Sequence, residues 1–339
     1  MNILRFSVVV LVLALLANCS PPQPLVTSRW QPTASALTAT PTQPVASGVA
    51  IAATRIPPTD VYLPTVVIPT PQPSWRFVVI GDTRTAGLDP PPVTTQIVEH
   101  ASQANPQIVL AVGDMINALD DQDSVREQWR RWRRVMAPLG AQTTASPWLL
   151  VTPGNHDVQG HAWATDLLAE AFPELPDNGP PGFDRRTYRV DYNNVRFISI
   201  DSERFDALHQ LGDDQLTWLE TQLRDNPNRY TIVWSHDPAF PAGPHVGSSL
   251  DAYPHDRDRL WALLKQYHVT AYIAGHEHLY NRSEHDGVTQ LIIGASGSYV
   301  YQGFGGEFYH YLVGEVTPEG IQVTIHDEQG VIQDQFTLQ

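Results

Sequence analysis

Five short apolar segments, each ending in a block of polar residues, constrain the fold of this chain most strongly. The first is RFVVIGDTR at positions 76–84, where a strand-like run stops at Gly81-Asp82. The polar residues that follow the five segments are Asp82; Asp114 and Asn117; Asn155 and His156; His236; and His276 and His278. Because the carboxyl ends of strands in an α/β sheet meet at one edge, we expect these side chains to converge there.

The types of side chain in these blocks predict a metal site. Taken together, the two carboxylates, one of the two amides and three of the four imidazoles suit Fe, Mn²⁺, Zn²⁺ or Co²⁺ better than Ca²⁺. Six such groups are too many for one tetrahedral zinc ion, but they suit two metal ions that share a carboxylate. Two ions about 3.5–4 Å apart can clamp the attacking and leaving oxygens of a phosphoryl displacement. A water shared by both ions would lose a proton near neutral pH.

Apolar periodicity and turn residues predict alternating strands and helices, followed by strands alone. The predicted strands are 75–80, 108–112, 148–152, 187–192, 195–200, 230–234, 270–274, 289–293, 309–316, 321–327 and 331–336. The predicted helices are 93–104, 122–137, 162–171, 213–225 and 256–267. This order indicates sheets packed together with helices outside.

The order of the polar blocks resembles that of the calcineurin-like metallophosphoesterase family. The blocks are Gly-Asp, Gly-Asp, Gly-Asn-His-Asp, His and Gly-His-Glu-His, and the resemblance covers residues 75–339. The stretch GHEHLYNR at 275–282 looks like the purple acid phosphatase branch. The resemblance implies a four-layer α/β/β/α sandwich of two mixed sheets. It also implies hydrolysis of small-molecule phosphate mono- or diesters by a metal-bridging hydroxide.

The resemblance assigns a role to each residue of the polar blocks. Asp114 would bridge the two ions; Asn155, His236 and His276 would complete one position, and Asp82 and His278 the other. His156 would contact the phosphate or protonate the leaving oxygen, with Asp157 orienting it. His161, Tyr280 and Arg282 are further candidates for contact with substrate, as is His245.

Two positions depart from the family pattern. Arg84 stands where many members have a histidine ligand, and Asn117 stands where purple acid phosphatases have a tyrosine ligand. In one interpretation Arg84 grips the substrate phosphate with its guanidinium fork, and Asn117 lends a carbonyl oxygen to the metal. In another, the first metal, which keeps Asp82, Asp114 and His278, is loosely held, and the protein is a poor catalyst or a phosphate-binding relative. A third interpretation is that Arg84 forms an ion pair with a nearby acid such as Asp114. Without the tyrosine, we expect a protein that is not purple.

The N-terminal residues resemble a bacterial lipoprotein signal. A short basic start precedes a mostly apolar run at 6–17, which is too short to span a bilayer comfortably. The sequence LANCS then places Cys19, the only cysteine, where a lipoprotein is cut and acylated. The resemblance implies a leader at 1–18 and a lipid anchor on the extracytoplasmic face of the cell envelope. The alternative is an ordinary signal peptide and a secreted protein.

Residues 19–74 have a composition unlike that of the rest of the chain. Positions 20–74 contain 12 prolines and 9 threonines, with little apolar periodicity. Such a segment cannot bury enough surface to offset its chain entropy. We therefore predict a disordered, fairly extended tether between the leader and a catalytic domain at 75–339.

The charge of the chain limits its partners. Acidic residues outnumber basic ones 36 to 21, which gives a formal net charge of −15. Such a surface repels phosphodiester backbones, so a nuclease fits the site chemistry but not the charge. The arginine-rich stretch VREQWRRWRRVM at 125–136 places its apolar residues on one helical face, typical of a core helix. A second hypothesis remains, a non-catalytic lipoprotein that binds a phosphorylated ligand at a degenerate metal site.

Overall fold

The computed structural model describes residues 74–140 and 148–339, all of which lie in one compact unit. The predicted leader at 1–18 and the predicted tether up to residue 73 lie outside the described residues, as does Cys19. None of the helices in the described ranges is long and apolar enough to cross a membrane.

The strands and helices follow the chain in mixed order. The strands are β1 (Trp75–Ile80), β2 (Ile108–Ala111), β3 (Trp148–Val151), β4 (Tyr188–Tyr192), β5 (Val195–Ser199), β6 (Glu203–Arg204), β7 (Ala207–Leu208), β8 (Tyr230–Trp234), β9 (Ala271–Ala274), β10 (Tyr280–His285), β11 (Val288–Ile293), β12 (His310–Val316), β13 (Ile321–Asp327) and β14 (Ile332–Leu338). The helices are α1 (Pro92–Ser102), α2 (Gln122–Val135), α3 (Asn155–Val158), α4 (Ala164–Ala171), α5 (Asp213–Arg224) and α6 (Pro254–Gln266).

Two six-stranded mixed sheets form the centre of the fold. The first has the order β14-β13-β12-β1-β2-β3, with β1, β2 and β3 parallel. The second has the order β10-β11-β9-β8-β5-β4, with β11, β9, β8 and β5 parallel and both edge strands antiparallel. Strands β6 and β7 form a separate small hairpin. Parallel strands place their carboxyl ends at a shared edge, which is where the polar blocks follow.

The two sheets pack face to face through aromatic side chains. Phe77 of the first sheet contacts Phe197 of the second edge-on at 5.7 Å between ring centroids. Trp75 contacts Tyr192 in the same way at 4.8 Å. A second core joins the outer face of the second sheet to α5 and α6, with Val233 among its buried residues. The four-layer α/β/β/α sandwich that the sequence predicts is therefore confirmed.

Helix α2 shows how the outer layer reaches the site. Its apolar stripe is buried, with Trp129 and Trp132 almost fully covered, as the sequence predicts for a core helix. Asp121 caps the helix, because its carboxylate accepts from the backbone N–H groups of Asp123 and Ser124. The Trp132 indole N–H donates to Thr83 Oγ1 at 2.8 Å, which ties the helix to the loop after β1.

The sequence missed three kinds of element. Strand β10 reads YNRSEH, an edge strand with no fully buried residue, so it has no apolar alternation to detect. The two-residue strands β6 and β7 are too short for any periodic pattern. The four-residue helix α3 begins inside the Gly-Asn-His-Asp block and is held by local turns. The remaining strands and helices differ from their predictions by at most two residues at each end.

Candidate metal centre

The polar blocks converge at the shared rim of the two sheets. Asp82, Asp114 and Asn155 follow β1, β2 and β3 of the first sheet, while His236 and His276 follow β8 and β9 of the second. The contacts among them cross from sheet to sheet: the backbone N–H of His276 donates to Asp82 Oδ2 at 3.0 Å. The predicted convergence is therefore what the structure shows.

Four of the site residues adopt positive backbone φ angles. They are Asp82, Asp114, His276 and His278, with φ values of 53°, 53°, 71° and 46°. This left-handed conformation is uncommon outside glycine and often marks functional sites. Close packing also demands glycine nearby, since a Cβ on Gly275 would overlap the Asp82 carboxylate and one on Gly154 would overlap that of Asp114. The turns after the strands thus bring backbone and carboxylates together.

We call the predicted position of Asn155, His236 and His276 with Asp114 the second metal position, and that of Asp82 and His278 with Asp114 the first. In the second, one nitrogen of each histidine ring bonds a backbone carbonyl. His236 Nδ1 lies 2.9 Å from the Val112 carbonyl, and His276 Nε2 lies 2.9 Å from the Ser248 carbonyl. Each carbonyl accepts a hydrogen bond from the ring N–H, so a neutral ring keeps its lone pair on the other nitrogen. Those nitrogens, His236 Nε2 and His276 Nδ1, are only 3.1 Å apart.

Further acceptors surround these two lone pairs. Asn155 Oδ1 lies 3.1 Å from His236 Nε2, and Asp114 Oδ1 lies 3.5 Å from it. Burial lowers the pKa of His276 to about 3, so its ring is neutral at pH 7. His236 Nε2 therefore lies within 3.5 Å of an imidazole nitrogen, an amide oxygen and a carboxylate oxygen. Such a donor set fits a transition metal ion such as Zn²⁺, Mn²⁺ or Fe.

The first metal position combines two carboxylates with one imidazole. Ligand atoms of Asp82, Asp114 and His278 all lie within 4.8 Å of one another, and all three residues are buried. His278 Nδ1 donates to the Tyr299 carbonyl at 3.0 Å, which leaves Nε2 facing Asp82 Oδ1 at 3.4 Å. Burial raises the pKa of Asp82 and lowers that of His278 to about 4. These residues also fit a metal ion.

Arg84 forms an ion pair with the shared carboxylate. Its Nε donates to Asp114 Oδ2 at 2.9 Å, and its side chain is 17% exposed. Burial raises the pKa of Asp114, but His236, His156 and Arg84 outweigh burial and hold the pKa below its ordinary value. The structure therefore shows the ion pair that the sequence left as one alternative for Arg84.

Asn117 presents an unused oxygen. Its Oδ1 is buried and accepts no hydrogen bond from any residue in the described ranges. Its backbone is held by Gln128, which accepts from the Asn117 N–H and donates to the Asn117 carbonyl. An orphaned buried acceptor is consistent with a ligand role for this side chain.

The prediction that Asp157 orients the His156 ring is wrong. The Asp157 carboxylate is fully buried and accepts from the backbone N–H groups of Gly154, Met115 and Ile116. It therefore joins the turn after β3 to the loop after β2. Burial raises its pKa and lowers that of His156 to about 4.

His156 is oriented by other contacts. Its backbone N–H donates to Asp114 Oδ1 at 2.9 Å, which places the residue beside the shared carboxylate. Its ring Nδ1 contacts the Gln159 side-chain amide nitrogen. A donor at Nδ1 leaves the ring proton on Nε2, where it can be offered to a ligand.

Three residues predicted to contact substrate have partners of their own in the structure. The His161 ring stacks on Trp163 at 4.5 Å between centroids. Tyr280 Oη donates to Asp334 Oδ2 at 2.7 Å, and Arg282 Nε pairs with the same oxygen at 3.0 Å. The last two side chains thus join β10 to β14. Because edge strand β10 was not recognised in the sequence, its contacts with β14 were not expected.

Besides His245, a predicted substrate contact, the structure brings to the site residues that the sequence did not assign to it. The His245 ring lies 4.1 Å from that of His276, and the Tyr301 ring stacks on His278 at 5.1 Å. His209 Nδ1 bonds Asp237 Oδ2 at 2.7 Å. Asp237 directly follows the predicted ligand His236, so the His-Asp pair could have indicated its place near the site. Nothing in the sequence around Tyr301 indicated a role for that residue.

His209 contacts the carboxylates of Asp237 and Glu203, and its ring lies 5.7 Å from that of His276. Burial lowers the pKa of His209, but the two carboxylates outweigh it and raise the pKa to about 10. A protonated His209 neutralises part of the buried negative charge. His209, Asp237 and His276 also present ligand atoms within 4.8 Å of one another.

The sequence matches known proteins over most of the described domain. The family model described as calcineurin-like phosphoesterase matches residues 76–280. Tartrate-resistant acid phosphatase type 5 of Oryctolagus cuniculus is 26% identical over 250 residues, covering 66% of this chain and 73% of that protein. A glycerophosphodiester phosphodiesterase of Enterobacter lignolyticus is 29% identical over 181 residues, covering 51% and 56% respectively.

Solved structures share the fold. A purple acid phosphatase from yellow lupin seeds superposes with a TM-score of 0.61 at 17% identity, covering 78% of this chain and 53% of that one. A dimetal phosphatase from Danio rerio superposes with a TM-score of 0.58 at 15% identity, covering 78% and 98%. At these identities the likeness concerns the arrangement of the two sheets.

Proposed function

Because this chain belongs to the calcineurin-like phosphoesterase family, we propose that it is a phosphoesterase that binds two metal ions at the rim of its sheets. The observation that carries the proposal is the second metal position. There His236 Nε2 and His276 Nδ1 face each other at 3.1 Å beside Asn155 Oδ1, while the other nitrogen of each ring bonds a backbone carbonyl. A metal cation would satisfy these groups together.

The two ions would be held by separate sets of residues that share one carboxylate. Asn155, His236 and His276 with Asp114 would hold one ion, and Asp82 and His278 with Asp114 would hold the other. Asn117 Oδ1 is proposed as an additional donor to the latter, because it is buried without a partner. Bound Fe, Mn or Zn ions would supply Lewis acidity and an activated water.

Arg84 and His156 would act on the substrate phosphate. The ion pair with Asp114 uses Arg84 Nε, which leaves the terminal N–H groups of the guanidinium for phosphate oxygens. His156 is neutral at pH 7 and offers its Nε2 proton. It would therefore donate a hydrogen bond to the phosphate or to the leaving oxygen.

The similar proteins support phosphate esters of either class as substrates. The rabbit relative is named a phosphatase and the Enterobacter relative a phosphodiesterase. We therefore propose hydrolysis of mono- or diesters of small molecules. The net charge of −15 argues against nucleic acid.

The test combines metal analysis with turnover. The mature full-length protein is loaded with Mn²⁺, Fe or Zn²⁺, its metal content is measured, and p-nitrophenyl phosphate and bis(p-nitrophenyl) phosphate are offered. We expect two metal ions per chain and hydrolysis of at least one ester. Less than one ion per chain and no hydrolysis with any metal would overturn the proposal. Phosphate binding without turnover would favour the non-catalytic lipoprotein instead.

We also propose that Cys19 carries a lipid that anchors the protein to the extracytoplasmic face of the cell envelope. The support is the position of the only cysteine directly after an apolar leader. Two or more acyl chains suffice for stable anchoring. Cys19→Ala should move the protein from the membrane fraction to the soluble or secreted fraction. An unchanged distribution would contradict the anchor.

A further inference from the structure

The segment 296–301, between β11 and β12, is attached to the first metal position by its backbone. Ser296 N–H donates to the Gly81 carbonyl at 2.9 Å, and Ser298 N–H donates to the Asp82 carbonyl at 2.7 Å. Tyr301 N–H donates to the His278 carbonyl at 3.3 Å. These bonds reach both Asp82 and His278, so the segment cannot move independently of the residues that hold the first ion.

Two tyrosines of this segment stand beside the His278 ring. Tyr301 stacks on it at 5.1 Å between centroids with an angle of 23°, and Tyr299 meets it edge-on at 5.0 Å. Their hydroxyl groups are 2.6 Å apart, and Tyr301 Oη is 3.2 Å from His245 Nε2. The two phenol rings therefore form one hydrogen-bonded unit, which we call the tyrosine pair.

Tyr299 is far more exposed than the histidine beside it. His278 is 1% exposed, whereas Tyr299 is 56% exposed. A large ring that is held in place beside a buried metal ligand, and that still presents over half its surface to solvent, is available to a bound molecule. Because two contacts already restrain it, little side-chain entropy is lost when a ligand covers it.

We propose that Tyr299 is a specificity-determining residue that receives an aromatic group of the substrate. The inference rests on the proposed function, since it assumes that the substrate phosphate lies at the metal positions. An organic group attached to that phosphate would pass close to His278 and hence to Tyr299. The substrate class is then phosphate esters that carry an aromatic ring near the phosphorus. Tyr301 positions Tyr299 through the bond between their hydroxyls.

Binding of two non-hydrolysable probes tests this inference. Phenylphosphonate and methylphosphonate share the phosphonate group and differ in the ring. With the full-length metal-loaded protein, calorimetry should show phenylphosphonate binding about fivefold more tightly, as expected for one aromatic pair. In Tyr299→Ala this preference should fall to less than twofold, because the ring is lost. Tyr299→Phe should keep most of the preference, because the ring and its edge-on contact with His278 remain although the bond to the Tyr301 hydroxyl is lost.

Matched controls locate the effect. Phe304 lies between the same two strands and is 49% exposed, so Phe304→Ala removes a comparable ring. Phe304→Ala should keep the preference for phenylphosphonate. If Phe304→Ala loses this preference while Tyr299→Ala retains it, the assignment to Tyr299 is overturned. Equal binding of both probes by the unaltered protein would also overturn it. Metal content and melting temperature of each variant verify that the fold and the centre are intact.

The readout separates this inference from the proposed function. Phosphonate binding does not require turnover, so a protein that binds the probes with the expected preference but hydrolyses no ester supports the tyrosine pair and contradicts the phosphoesterase. A protein that hydrolyses esters without any ring preference does the reverse. If the metal-loaded protein binds neither probe, the inference is overturned.

Discussion

The two proposed metal positions would share Asp114, but their surroundings differ. At the second, the Val112 and Ser248 carbonyls fix the protons of His236 and His276, and the lone pairs converge. At the first, two carboxylates and His278 stand close together, and the Arg84 guanidinium already pairs with the shared carboxylate. The second position is thus arranged for a metal ion by the backbone. At the first position, the Arg84 guanidinium would compete with a metal ion for the Asp114 carboxylate.

This difference predicts unequal affinities. A metal ion at the second position meets two imidazole rings whose other nitrogens already bond backbone carbonyls, so binding displaces little. An ion at the first position must share Asp114 with Arg84 and must displace a proton wherever Asp82 is protonated. We therefore expect the second position to fill before the first when metal is limiting.

Asp114→Asn tests the shared ligand and should have the largest effect. Loss of the bridging carboxylate weakens both positions, and since loss of a supporting partner around a metal site already costs 10–100-fold, we expect activity to fall by at least about 100-fold. Steady-state kinetics and metal analysis measure this. Asp184→Asn, at an exposed site, is the matched control. Retained activity with two bound ions would refute the bridging role.

Acidification should release the metal ion at the first position before the ion at the second. Burial raises the pKa of Asp82, so as the pH falls below that value a proton competes with the first ion, and affinity drops by up to about tenfold per pH unit. At the second position the pKa of His276 is about 3, so its ring does not compete above about pH 4. Metal content after dialysis at pH 7, 6 and 5 tests this. Simultaneous loss of both ions would contradict the difference.

Arg84→His should reduce the difference between the positions. The change removes a competing cation and supplies the imidazole that many family members have, so the first ion should bind about tenfold more tightly. The same change removes charge-assisted hydrogen bonds to phosphate, so KM should rise about tenfold. Metal titration and kinetics give the two readouts. A tighter ion with unchanged KM would show that Arg84 does not contact substrate.

Asp157→Asn should have the smallest effect. It should lower the free energy of unfolding and weaken metal binding mainly at the second position. An amide cannot accept all three backbone hydrogen bonds, and leaving a buried N–H unpaired costs about 1–3 kcal/mol in the free energy of unfolding. The turn that carries Asn155 should loosen, while Asp82 and His278 are untouched. Urea denaturation and metal titration measure this. Unchanged stability would show that water replaces the carboxylate.

Much of the fold was readable from the sequence because it rests on local patterns. The run 77–80 is apolar and stops at Gly81, so strand β1 and its end were both predicted correctly. The same holds for the stripe of Val125, Trp129 and Trp132 on α2. Strand β10 escaped because an edge strand that is half exposed on both faces has no alternation.

The site was readable in part. The convergence of Asp82, Asp114 and His276 follows from strand topology, and the structure bears it out. The roles of Asp157 and Tyr280 did not follow. Asp157 sits next to His156 in the chain yet accepts from the backbone of Met115, 42 residues earlier. Tyr280 donates to Asp334, which lies on an edge strand of the other sheet.

The sequence by itself determined which donor atoms meet at the rim, because strand ends and the glycines beside them are local properties of the chain. The tertiary structure decided how those donors are used. The proton of His236 is fixed by Val112, the charge of Asp114 is shared with Arg84, and Tyr299 stands beside His278. Each of these contacts joins residues far apart in the chain, so each exists only once the two sheets have packed.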